Sequence, residues 1–130
     1  MRIYRLIPSV LVLTGAAVLA PSAANADAAQ ATTTAAQHAG FAAGGADLAG
    51  VRLHLHHTLN CLVGPDGEGF NLDAGNPCAQ AGGAIPQTTD AAMTEKLQEV
   101  AVAVTAAIAN EDLDAAKQAA TDAQKILAGE

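Results

Sequence analysis

The chain has 130 residues and a formal net charge of −7 at pH 7, from thirteen acidic and six basic side chains. Such an acidic surface repels nucleic acid, and one tyrosine with two phenylalanines is too few aromatics for a base-stacking platform, so nucleic-acid partners are excluded. The length allows one small domain.

Arg2 and Arg5 precede an apolar run from Ile7 to Ala20, and Ala24-Asn25-Ala26 supplies small residues at the two positions a signal peptidase reads. This pattern predicts a signal peptide over 1–26 and a domain over 27–130 in an exported, periplasmic or secreted, protein. A membrane anchor is the competing reading. The run is shorter than the roughly 20 apolar residues a spanning helix needs and contains Pro8 and Gly15, so no membrane association is expected once the signal is removed. Its removal leaves Arg52, Lys96, Lys117 and Lys125 as the basic residues.

From Ala28 to Ala43 the residues are nearly all Ala, Thr and Gln, which fits a low-complexity linker or a weak helix. A helix would turn Ala31, Ala35, His38 and Ala42 inward, with Phe41 beside His38. Gly44-Gly45 marks a turn, and Asp47 suits the positive end of the next helix. In that helix Leu48, Val51, Leu55, Leu59 and Leu62 form one apolar stripe, ended by Gly64-Pro65. His54, His57 and Cys61 follow one another along a flank of the stripe at i, i+3 and i+7, whereas His56 falls on another face.

Glycines and prolines interrupt any period between Leu62 and Thr88, predicting a long loop over about 63–88 with Phe70 and Leu72 plugging into the core. Two cysteines in an exported chain predict a Cys61–Cys78 disulfide that tethers this loop and stabilises the fold by about 3 kcal/mol. Thr88-Thr89-Asp90 offers caps for a third helix with the stripe Met93, Leu97, Val100, Val104 and Ile108. Asn110 is expected to cap a fourth, which turns Leu113, Ala116, Ala120, Ala123 and Leu127 inward and stops at Gly129. The predicted fold is all-α, an up-down-up-down four-helix bundle with a thin, alanine-rich core and a disulfide-tethered loop between helices 2 and 3.

His54 and His57, one turn apart, have the spacing of a metal-ligand pair, and His38 on the neighbouring helix is a candidate third ligand. The competing reading has them as flank histidines without a metal. Cys61 is a candidate thiolate ligand for copper or zinc, against which the disulfide stands. Glu95 and Glu99 lie off the third helix's stripe and read as a solvated face. Asp66, Glu68 and Asp73 lack the spacing of a calcium loop, and no haem is expected without a Cys-x-x-Cys-His sequence. No catalytic set is present: serine is absent after Ser22, and a cysteine nucleophile needs a reduced Cys61. Thiol–disulfide exchange is disfavoured because Cys61 lies near a helix C-terminus.

The run His54-Leu55-His56-His57-Thr58-Leu59-Asn60-Cys61-Leu62-Val63-Gly64-Pro65, with Gly69-Phe70 and Gly75-Asn76-Pro77-Cys78 after it, resembles a group of small exported bacterial helical-bundle proteins of no established activity. Signal, Ala-rich helices and histidines together are similar to the small periplasmic metal-binding four-helix bundles. That second likeness implies His38, His54 and His57 as ligands. Those bundles carry histidines along every helix, so a single site is expected here. The expectation is weak binding or buffering of a divalent transition metal, with no enzyme activity. The alternative is a structural or partner-binding protein that uses the tethered loop and no metal. Because the histidines lie on a helix that needs no disulfide, reduction is expected to leave the metal in place.

Overall fold

A computed structural model describes residues 23–130, with side chains from Asp27 onward. The expected signal peptide lies outside the described residues over 1–22, and of 23–26 the backbone alone is described. The described residues form five helices and no strand: α1 (Ala23–Ala43), α2 (Leu48–Val63), α3 (Ala84–Gln87), α4 (Ala91–Ala109) and α5 (Leu113–Ala128), with a 3-10 turn at Leu72–Ala74. The four long helices pack in a ring, α1 against α2 and α5, and α4 against α2 and α5.

The Ala/Thr segment is a helix of 21 residues. Its successive threonines fit because the hydroxyls of Thr32, Thr33 and Thr34 turn back to donate to the carbonyls of Ala28, Ala29 and Gln30 at 2.8, 3.0 and 3.1 Å. Burial supplies what propensity lacks. Ala28, Ala31, Ala35, Ala39 and Ala42 are enclosed, and a Cβ on Gly40 would come within 2.7 Å of the Gln124 side chain of α5. Ala39, not His38, completes this inward stripe, and His38 lies at its edge.

Helix α2 follows its stripe, with Val51, Leu55, Leu59 and Leu62 buried. Asp47 caps it by accepting from the Gly50 N–H at 2.8 Å, and Gly64 ends it at φ 73°, a left-handed value that suits glycine. Asp90 caps α4, accepting from the Met93 N–H at 2.7 Å. The expected cap of the last helix needs correction. Asn110 closes α4, donating its N–H to Ala107 O, while the Asp112 carboxylate accepts from Ala115 N–H at 2.7 Å and opens α5. Glu111 therefore precedes α5. A carboxylate at this position interacts favourably with the helix dipole, which an amide does not match. Met93 is exposed in the first turn of α4, where the apolar stripe begins at Leu97.

The region expected to be an unbroken loop over 63–88 carries the 3-10 turn and the one-turn helix α3. Pro86 fits in α3 because the first four N–H groups of a helix have no partner within it. A Cβ on Gly83 would lie 2.6 Å from the backbone nitrogen of Gly64, so the returning chain seats backbone on backbone at the end of α2. Ile85 packs against the core, but Leu72 is 75 % exposed and plugs nothing. The inner side of its turn is occupied by polar groups from α2.

Candidate metal centre

Three histidines from two helices converge. His38 on α1 and His54 on α2 have Nδ1 atoms 3.2 Å apart, and His57 Nδ1 lies 3.3 Å from His38 Nδ1. One nitrogen from each ring falls within 4.8 Å of the other two. Bonds of about 2.0–2.1 Å at tetrahedral angles put two nitrogens on one zinc about 3.3 Å apart, so the spacing fits a shared metal. The ligand pair proposed from sequence spacing and the third ligand from the adjacent helix are thus brought together.

The backbone register that achieves this is set by a buried hydroxyl. Thr58, one residue after His57, bonds to the His54 carbonyl at 3.0 Å and lies 3.3 Å from the Ala35 carbonyl of α1, which holds the two helices together beside the histidines. Phe41 walls one side, edge-on to His38, with ring centroids 5.4 Å apart.

Burial first, then the neighbouring His57 and His54, pushes the His38 pKa down from 6.5 to about 4. His54 is likewise lowered, by burial and then by His57. Both rings are therefore neutral at pH 7, the form that binds a metal. His57 Nε2 lies 2.6 Å from the Ala74 carbonyl. A carbonyl accepts but cannot donate, so Nε2 donates to it and Nδ1 is the nitrogen that faces the cluster. Metal-bound histidines commonly donate their second nitrogen in this way.

The carbonyl on His57 comes from the loop, and Asn60 holds it there. This amide is fully buried: its Nδ2 donates to Asn71 O at 2.8 Å and Gly75 O at 2.7 Å, and its Oδ1 accepts from Asn71 N–H at 2.9 Å. Asn71 in turn caps the 3-10 turn, accepting from the N–H groups of Asp73 at 3.0 Å and Ala74 at 3.3 Å. Sequence reasoning missed Asn60, Asn71 and the Ala74 carbonyl. The available signal was an asparagine within the buried quadrant of α2, where an amide requires partners.

Cys61 is bonded to Cys78, with Cα atoms 5.2 Å apart, so it offers no thiolate to a metal. His56 stays outside the cluster, as its helical phase predicts; its Nδ1 is buried without a hydrogen-bond partner. Glu95, Glu99, Asp66, Glu68 and Asp73 are exposed, and none joins a metal-ligating group among the described residues. No described helix is long and apolar enough to cross a membrane. Comparison with protein-family models, curated proteins and solved structures finds no match to this chain, so the histidine geometry is the ground on which its function is read.

Proposed function

We propose that this is an exported helical-bundle protein that binds a divalent transition metal, copper or zinc, through His38, His54 and His57, and that it binds or buffers the metal without catalysing a reaction. The convergence of three imidazoles on one point carries this reading, with Nδ1 of His54 and of His57 lying 3.2 and 3.3 Å from His38 Nδ1. Imidazole donors suit zinc and copper, whereas calcium and magnesium prefer oxygen. The ring order of helix packing and the short α1–α2 and α4–α5 connections support the up-down-up-down arrangement. The disulfide is compatible with export, since oxidising compartments preserve such bonds.

Titration of the purified chain with zinc and with copper tests the reading against a His54→Ala, His57→Ala double variant. One saturable equivalent is expected in the native chain and none in the variant. Equal binding by both overturns it. The competing reading, a partner docking on the tethered loop, has the exposed Leu72 in its favour. The inward commitment of that loop to Asn60 and His57 favours the metal.

A further inference from the structure

A histidine ring on a helix can turn over about its Cβ–Cγ bond, exchanging the nitrogen it presents. At His57 the bond from Nε2–H to the Ala74 carbonyl opposes that exchange. The carbonyl sits on a strap of chain, residues 71–78, far in sequence from the helix it faces. Two successive residues of α2 hold both parts of the strap: Asn60 clamps residues 71 and 75 through three hydrogen bonds, and Cys61 is bonded to residue 78. All three Asn60 bonds are made by an amide with no exposure to solvent.

We propose that Asn60 is a positioning residue for the metal site: by clamping the strap it keeps the Ala74 carbonyl on His57 Nε2 and so assigns Nδ1 of His57 to the metal. The proposal rests on the metal-binding reading above. The chemistry of the clamp explains the residue type. Two carbonyls and one N–H face the Asn60 side chain, which an amide satisfies with two donors and one acceptor. An aspartate of nearly the same shape has no donor for either carbonyl and would repel both. At Asn71 the side chain only accepts, so an aspartate there preserves the turn and an alanine does not.

These differences define the experiment. Long-range proton–nitrogen NMR of the full chain without metal reads which His57 nitrogen is protonated, and zinc titration of the same samples reads affinity. The native chain and Asn71→Asp are expected to show His57 as a single Nε2–H tautomer. In Asn60→Asp and in Asn71→Ala a mixture of tautomers is expected, with zinc affinity lowered by about 10–100-fold, the usual range for loss of a partner behind a metal ligand. Asn71→Ala alters an exposed turn and keeps the test open if Asn60→Asp does not fold. A single Nε2–H tautomer in both weakened variants, or native zinc affinity in both, overturns the proposal. Tautomer mixing in the variants of a chain that binds no zinc overturns the metal reading and leaves Asn60 in control of the His57 ring alone.

Discussion

Polar groups lie inside the α1–α2 side of the bundle, whereas the α4–α5 side encloses none. Thr58 and Asn60, both on α2, are the buried polar residues among those described, and each is hydrogen-bonded. On α4 and α5 the buried residues are Ala, Val and Leu. Their polar side chains bond locally, as Thr105 does to Ala101 O and Gln118 to Asp122. Burying an amide or a hydroxyl costs free energy unless partners meet it, so a fold that accepts this on one side gains fixed geometry there. The histidines sit on the side with the fixed geometry. Helices α4 and α5 complete the apolar core against which α1 and α2 are held.

The sharpest break in this contrast comes from the disulfide. A Cys61→Ala, Cys78→Ala variant is expected to lose about 3 kcal/mol of stability on the chain-entropy account while keeping most of its helical circular dichroism. The sequence alone predicts that such a variant keeps its metal. The strap changes that expectation: with residue 78 released, the hydrogen bonds that tie the strap to α2 are those of Asn60 and His57, and zinc affinity should fall along with the melting temperature. Unchanged melting would remove the disulfide from the account of stability.

Perturbing the other side should separate stability from binding. Ala120 on α5 is fully buried, and Ala120→Leu is expected to cost about 1–3 kcal/mol through overpacking in denaturant titrations. Zinc affinity measured well below the unfolding transition should stay native. A matching loss of affinity would mean that the apolar side helps to set the site.

Acid should act first on the histidine side. The folded His38 pKa lies near 4, below its ordinary 6.5, so between those values the unfolded chain binds a proton that the folded chain excludes. The contribution of His38 to the stability of the metal-free protein is therefore fully present above about pH 6.5 and falls as the pH drops toward 4. Thermal melts across this window should show a slope that His38→Ala reduces. Leu72→Ala should do least. Its side chain is 75 % exposed, and the change in stability is expected to lie within about 0.5 kcal/mol by chemical denaturation.

Much of the scaffold was legible in the sequence because it follows helical periodicity. Leu55, Leu59 and Leu62 on α2, and Leu97, Val100 and Val104 on α4, are buried where their spacing puts them. The histidine cluster was legible for the same reason, as two ligands share a helix and the third lies on the adjacent one. The strap was not. Its contacts join Asn60 to residues 71 and 75 through backbone groups, and backbone carbonyls carry no residue-specific signal. Leu72 was misplaced because apolar character suggests burial, whereas the inner side of its turn is taken by the Asn60 amide. Asn110 was misplaced because several acidic and amide residues compete as caps within a few positions, and the boundary depends on which one accepts the helix N–H.

The convergence of three histidine nitrogens is tested most directly by X-ray absorption spectroscopy of the full chain at high concentration with less than one equivalent of zinc. The account predicts zinc with imidazole nitrogens from His38, His54 and His57 at about 2.0–2.1 Å, seen as three-imidazole multiple scattering. Zinc in a shell of oxygen donors, or the same spectrum from a His54→Ala, His57→Ala variant, would contradict it.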